Sequence, residues 1–244
     1  MELLKNDESL EDLQLCGLKL IQKTDGFRFG VDAVLLSDFA KTLHSVKTLD
    51  LCTGSAVVPI LLSAKTNTKE FCALEIQDEI CEMAQRCVSL NGLDDKIKVQ
   101  QGDLKESDKI YSKRVFDLIT CNPPYMPVGS AVTNPSDSKI IARHEVMCNL
   151  EDVICASAKL LKQKGHLVLV HKPTRLADII CLMRKYEIEP KRIRFAHKAP
   201  DTEPSLVLVD GAYKGGIELR IMPPLFMYNE DGTETDELKR IYGK

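Results

Sequence analysis

The segment Phe116-Asp117-Leu118-Ile119-Thr120-Cys121, running into Asn122-Pro123-Pro124-Tyr125, points most directly to chemistry. An apolar run ends in a carboxamide, two prolines and a phenol. The chemistry that suits this set is methyl transfer to a planar, conjugated nitrogen. The lone pair of such an amine is delocalised into its ring or carbonyl, so the amine is a poor nucleophile. Two acceptors placed on its two N–H groups draw the nitrogen toward tetrahedral geometry and localise the lone pair. The side-chain oxygen of Asn122 and the backbone oxygen of Pro123 are the candidate acceptors. No strong base is needed, because the proton leaves a product that is already cationic. The prolines fix φ and stiffen the turn, and Tyr125 offers a ring for stacking on an extruded base. The bland alternative is a plain strand stop. The apolar run before the motif and the loop upstream weigh against it.

That loop is Asp50-Leu51-Cys52-Thr53-Gly54-Ser55-Ala56, a strand-to-helix turn with one glycine. A dinucleotide fingerprint carries three, which let the backbone approach a pyrophosphate. A cofactor without phosphate requires no such approach. Glu75 falls 21 positions after Gly54, at the end of the next expected strand. An acid at that spacing suits the two hydroxyls of a ribose. Gly102-Asp103 closes a third strand, where a carboxylate can accept from the exocyclic amine of an adenine. A ribose, an adenine and no phosphate together suggest S-adenosylmethionine. The ordinary alternative for both acids is capping of the following helix.

The elements that must position these residues alternate from residue 46 onward. Strands are expected at 46–51, 70–76, 97–101, 115–121 and 166–171. Helices are expected at 55–64, at 78–90 with Asn91-Gly92 as a stop, at 151–162 closed by Gly165, and at 175–186. Segments 189–196 and 205–210 alternate as strands, 216–222 as one more, and 230–242 reads as a polar helical tail. Near the start, 18–30 reads as two short strands around Thr24-Asp25-Gly26, with Asp32 as the N-cap of the apolar run Ala33-Val34-Leu35-Leu36. Strands alternating with helices imply an α/β fold with a parallel sheet covered on both faces. The last strands lack a long helix between them and should run partly antiparallel. Such sheets bind ligands beyond the carboxyl ends of their strands, where the strand order reverses.

Composition bounds the reading. The 244 residues are 44% hydrophobic and 28% charged, which excludes a wholly disordered chain. A formal charge of −3 excludes a strongly basic nucleic-acid protein but not a locally basic face. Residues 172–198 hold such a face: Lys172, Arg175, Arg184, Lys185, Lys191, Arg192, Arg194 and Lys198 against Asp178, Glu187 and Glu189. A solvated surface is the plainer reading, and contact with RNA phosphates the sharper one. The 9 cysteines form no C-x-x-C pair, which argues against a zinc ribbon or a disulfide scaffold and for buried thiols in a reducing cytosol. No apolar run is long enough to span a membrane, and the start lacks a secretory pattern. A cytoplasmic protein with no membrane or metal partner is therefore expected. Cys52 and Cys121 flank the site and read as packing residues. His171 and His197 read as structural or phosphate-facing, and Phe27 and Phe29 as core. His144 and Glu145 read as loop-ordering or RNA-steering groups, or as a helix start.

With these residues in view, the chain resembles class I S-adenosylmethionine methyltransferases of the amino-directed type, in particular the bacterial valine-tRNA adenine-N6 methyltransferase family. The resemblance runs from about Asp12 to Tyr242. Besides 50–55 and 122–125 it includes Phe29-Gly30-Val31-Asp32-Ala33-Val34-Leu35-Leu36, Ala142-Arg143-His144-Glu145, His171-Lys172-Pro173-Thr174-Arg175-Leu176 and Glu189-Pro190-Lys191-Arg192. It implies a Rossmann-like sheet of seven strands, mostly parallel with an antiparallel C-terminal strand, plus a short N-terminal hairpin and helix. It implies a single methyltransferase domain over 1–244, with an extension at 1–45, a core at 46–222 and a tail at 223–244. The donor would be S-adenosylmethionine and the acceptor an adenine of tRNA near the anticodon. On the matching positions, Asp50, Thr53 and Gly54 would form the donor loop, with Thr53 and Gly54 facing the methionine part. Glu75 would hold the ribose, Asp103 the adenine, and Asn122 would border both substrates. Gly30 to Asp32 would close over the donor from the N-terminal side. The loop departs from the family in having Cys52 and Ala56 where glycine is usual; a β-carbon at 56 is expected to be tolerated if it points into the helix packing.

Two other readings keep or discard the chemistry. A protein glutamine amide poses the same conjugation problem, as in release-factor methyltransferases. Those usually carry an N-terminal helical domain, for which the stretch before the first core strand is too short. Ribosomal-RNA or DNA adenine, or a cytosine amine, belongs to the same class of acceptor. A non-catalytic RNA-binding module would be expected to lack the four-residue motif or the ribose acid, and both are here.

Overall fold

The computed structural model describes residues 4–24, 29–124 and 148–244. Tyr125, Phe27, Ala142, Arg143, His144, Glu145 and the expected turn at Asp25-Gly26 lie outside the described residues. In chain order, β1 (Glu8–Asp12) pairs antiparallel with β2 (Lys19–Lys23), and α1 (Val31–Ala40) follows. Then come β3 (Lys47–Leu51), α2 (Val57–Lys65), β4 (Glu70–Glu75), α3 (Asp78–Leu90) and β5 (Ile97–Gln101). A short turn at Leu104–Glu106 leads through α4 (Ser107–Ile110) to β6 (Phe116–Cys121). Helix α5 (Leu150–Leu160) precedes β7 (Leu161–His171), and α6 (Leu176–Lys185) precedes β8 (Ile188–His197) and β9 (Pro204–Tyr213). The chain ends with β10 (Arg220–Ile221), β11 (Leu225–Phe226) and α7 (Asp236–Tyr242).

Seven strands lie in the order β5-β4-β3-β6-β7-β9-β8, and the two-residue strands β10 and β11 add along the outer edge of β8. Strand β9 runs antiparallel to β7 and to β8, while the pairs from β5 across to β7 are parallel. Successive side chains on a strand point to opposite faces, and both faces are covered. Leu118, Val168 and Val170 pack with α1, α2, α3 and α7, whereas Ile119, Leu167 and Leu169 pack with α5 and α6. This is why β6 and the Leu167–Val170 stretch of β7 read as nearly unbroken apolar runs. The strand order reverses between β3 and β6, which lie side by side with Asp50 opposite Thr120 and Leu51 opposite Cys121. The loop after β3 and the motif after β6 therefore leave the sheet together.

Several local expectations change. The N-terminal hairpin exists, and Lys19–Lys23 pairs in it with Glu8–Asp12, a segment not expected as strand. Asp32 is not the N-cap of α1; Gly30 is, and Asp32 sits inside the first turn. Gly165 does not close a helix. It lies within β7, where a Cβ would stand 2.9 Å from the Lys162 carbonyl oxygen and 3.0 Å from that of Phe116, so close backbone approach beside a strand irregularity requires glycine. Of 216–222 only Arg220–Ile221 pairs as strand. The C-terminal helix is not simply polar: Leu238 and Ile241 are buried in the core that α1 shares. No helix among the described residues is long and apolar enough to cross a membrane, and no cluster among them is fit to hold a metal ion.

The hairpin is fastened to α3 by a buried ion pair. Arg86 donates from Nη1 to Glu8 Oε2 at 2.8 Å and from Nη2 to Oε1 at 2.6 Å, and it also binds Glu82. The Arg86 hydrogen bonds hold the Glu8 carboxyl below its ordinary 4.5. The native state thus keeps this charge to lower pH than the unfolded chain does. The contribution is complete above about 4.5 and is lost as pH falls through the depressed native value. Glu8→Gln is expected to lower stability by about 3 kcal/mol at neutral pH. The gap to wild type should narrow in acid, as read from urea midpoints.

Candidate active site

Three residues in the left-handed region shape the loop after β3: Cys52, Gly54 and Ala56 have φ of 56°, 57° and 63°. Two of them are the positions where glycine is usual, and each carries a β-carbon in a conformation that costs about 1 kcal/mol. Ala56 is fully buried and N-caps α2, so its methyl does point into the core. The strained backbone beneath it was not part of the expectation. At Gly54 an added Cβ would meet nothing within 4 Å, so open space lies over the tip of the loop.

Asp50 anchors this loop from below. Its Oδ2 accepts from Thr53 Oγ1 at 2.6 Å and its Oδ1 from Thr120 Oγ1 at 2.6 Å, which ties the loop to the neighbouring strand. The side chain is turned inward, with the residue 2% exposed. Burial pushes its carboxyl up to about 7 against the pull of the two hydroxyls, and the charge of Glu75 adds to the rise. Glu75 is also buried: Oε2 accepts from the Gly54 amide at 3.0 Å and Oε1 from the Gln77 amide at 3.0 Å. One carboxylate thereby bridges the loops after β3 and β4. Asp103 accepts from the Lys105 amide at 2.9 Å and caps the turn Leu104–Glu106, so for this oxygen the capping alternative is realised.

Asn122 is half-buried, with Pro123 buried behind it. Its Nδ2 donates to Asp32 Oδ2 at 3.1 Å, across 90 positions of sequence. Its Oδ1 is shielded from solvent and accepts no hydrogen bond among the described residues. Asp32 Oδ1 accepts from the Ala33 amide at 2.9 Å. The structure thus brings Gly30, Asp32, Asp50, Thr53, Gly54, Glu75 and Asn122 to one end of the sheet. The pairing of Asp32 with Asn122 left no trace in sequence, since each residue sits in its own motif and no local spacing links them. Cys52 and Cys148 are also neighbours, with Sγ atoms 3.7 Å apart. Burial pushes the Cys121 thiol up, and the contact with Cys52 pushes Cys148 up. These thiols stay protonated and pack.

The basic segment divides. Lys172 and Lys198 follow the carboxyl ends of β7 and β8, and Arg175 stands one turn beyond, paired with Asp178 at 2.7 Å. The others are engaged inside the chain: Arg184 with Glu189, Lys185 with Glu151, Lys191 with the Gly216 carbonyl, Arg192 with Asp210 and Arg194 with Glu237. His171 is buried, accepts from the Lys172 amide and is pushed by burial down to about 4, which keeps it neutral and structural.

The model of the family described as methyltransferase small domain matches residues 30–185. The chain belongs to that family. This methyltransferase is 28% identical over 187 residues to a Porphyromonas gingivalis protein named tRNA1(Val) (adenine(37)-N6)-methyltransferase, covering 74% of this chain and 72% of that one. A Parabacteroides distasonis protein of the same name is 28% identical over 183 residues, covering 75% and 76%. Among solved structures, a predicted O-methyltransferase, Atu636 from Agrobacterium tumefaciens, superposes with a TM-score of 0.71 at 19% identity, covering 87% of this chain and 95% of that one. At that identity the likeness speaks for the fold.

Asp50 makes stability depend on pH. Its native value near 7 lies above the ordinary 3.8, so the native state holds the proton longer. Stability from this group is complete below about 3.8 and falls as pH rises toward 7. Asp50→Asn is expected to remove that fall, worth up to about 4 kcal/mol at about 1.4 kcal/mol per pH unit. Parallel pH profiles of urea midpoints for wild type and variant would show that Asp50 does not titrate there.

Proposed function

We propose that this methyltransferase moves a methyl group from S-adenosylmethionine to N6 of an adenine in RNA, the acceptor being a valine tRNA next to its anticodon. The observation that carries the reading is Asn122 Oδ1, a shielded acceptor with no donor among the described residues. An exocyclic amine supplies the missing donor. Asn122 Oδ1 takes one N–H and the backbone oxygen of Pro123 the other, which localises the nitrogen lone pair. Tyr125 stacks on the extruded base. The names of the Porphyromonas and Parabacteroides relatives support adenine N6 of tRNA as the target.

When bound, S-adenosylmethionine supplies a methyl group on a positively charged sulfur. Thr53 and Gly54 line its methionine end, where the open face of Gly54 leaves room. Glu75 receives the ribose hydroxyls while keeping the loop amide of Gly54 in place. Asp103 has a second oxygen to offer the adenine amine. Gly30 and Asp32 approach from α1. Asp50 serves the donor indirectly, by holding Thr53. The proton leaves the methylated, cationic nitrogen to water, so the buried groups need not act as a base. Lys172, Arg175 and Lys198, at the site's edge of the sheet, are the proposed phosphate contacts.

Asn122→Ala is expected to lower the methylation rate about a thousandfold and leave donor affinity, by calorimetry, within about threefold. Comparing nucleosides by mass spectrometry in tRNA from cells with and without the protein should show loss of N6-methyladenosine from the valine tRNA. Unchanged methyladenosine in every tRNA would overturn the reading. Gly54→Ala should cost only about 1 kcal/mol of stability, because its backbone is strained but the methyl meets no atom. Donor affinity should fall at least about tenfold, because that methyl fills the open space.

A further inference from the structure

The bond between Asp32 and Asn122 decides which end of a carboxamide faces the acceptor. An ionised carboxylate only accepts hydrogen bonds, whereas a carboxamide has one accepting and one donating end. The terminal torsion of asparagine is broad and roughly two-fold, so nothing intrinsic to Asn122 selects its orientation. With Oδ2 of Asp32 3.1 Å from Nδ2, the amino end is drawn toward α1 and the oxygen is turned away from it. That oxygen is the shielded atom without a donor. The opposite orientation would set two N–H groups against the N–H groups of the substrate amine.

We propose that Asp32 is a positioning residue that fixes the polarity of the Asn122 carboxamide, so that oxygen rather than nitrogen meets the acceptor amine. The proposal rests on the amine-acceptor reading above and adds a role to Asp32 beyond closing over the donor. The surroundings hold Asp32 for this task. Its Oδ1 accepts from the Ala33 amide, and its place in the first turn of α1 favours a negative charge. Gly30 leaves it room: a Cβ there would lie 3.0 Å from Asp32 Oδ1. The far end of α1 is anchored by Arg192, whose guanidinium lies 4.6 Å from the Phe39 ring centroid and donates from Nη1 to Thr42 Oγ1 at 2.8 Å. Arg192 in turn binds Asp210, a buried residue of β9. The carboxylate that orients Asn122 is thus carried by a helix clamped to the sheet.

Asp32→Asn keeps the shape and removes the fixed polarity. The rate constant at saturating donor is expected to fall about 10- to 100-fold, over and above any change in donor affinity. Asn122→Asp alone places two carboxylates in contact and should also be slow. Combining the two substitutions rebuilds the bond in the opposite sense: the carboxamide at 32 donates, and the second oxygen of the carboxylate at 122 faces the amine. The double variant should be at least about tenfold faster than either single variant, a coupling that a merely structural role would not produce. Gly30→Ala, whose φ of −112° alanine adopts freely, should slow the reaction about threefold by pressing on the carboxylate.

A spectroscopic readout is independent of turnover. The side-chain amide of Asn122, assigned by its disappearance in Asn122→Asp, should show one proton displaced downfield by the carboxylate, and Asp32→Asn should abolish that displacement. Three results would each overturn the proposal: an unchanged amide spectrum in Asp32→Asn, a wild-type rate at saturating donor in Asp32→Asn, or a double variant no faster than the faster single. If Asn122→Ala instead methylates at the wild-type rate, the amine-acceptor reading fails. The amide spectrum still decides whether Asp32 orients Asn122.

Discussion

The pairing of β3 with β6 is the constraint on which the site depends. These strands are far apart in sequence and adjacent in space because the strand order reverses between them. Their register sets Asp50 opposite Thr120, and the hydrogen bond between those side chains carries the alignment into the loops beyond. A slip of one residue would turn each side chain to the other face of the sheet. Asp50 would then lose the Thr120 hydroxyl, and Asn122 would no longer leave the sheet in its place beside the loop after β3.

The polar groups at this end of the sheet fall into two kinds. Asp50, Glu75 and Asp103 use their oxygens on hydroxyls and amides of neighbouring loops, and so hold the backbone in shape. Asn122 does the reverse: its donor is occupied, and its acceptor is buried with no donor among the described residues. Burying an unpaired carbonyl oxygen costs free energy. Such an atom at the mouth of a parallel sheet is an exception that calls for an explanation, and the proposed amine contact supplies one. The left-handed Cys52 and Ala56 carry a similar cost in the backbone, and both lie in the loop that follows the strand beside β6.

The alternation of strands and helices was legible because covered strands must be apolar on both faces and the connecting helices must carry an apolar stripe. Errors fell where a residue type serves two purposes. Gly165 reads equally as a helix stop and as a close approach of two backbones. Asp32 reads equally as a cap and as a first-turn residue, and the difference is one position along the chain. The acidic start, Glu8 included, gave no sign of a strand. Glu8 is buried because Arg86 meets it, a partner 78 positions away that local pattern does not reveal.

Residue types and short spacings set the expectation of the chemistry: a conjugated amine calls for acceptors on a stiff turn, and Asn-Pro-Pro-Tyr offers candidates within four consecutive positions. The same local rules determined the sheet and the places of the acids at its strand ends. Tertiary structure alone decided how each polar atom is used. Whether an oxygen of Glu75 holds a backbone amide, whether Asp50 points inward, and which end of Asn122 meets Asp32 depend on hydrogen bonds between segments distant in sequence. Such bonds have strict distance and direction, and only the packing of α1 and the strands on one another sets those.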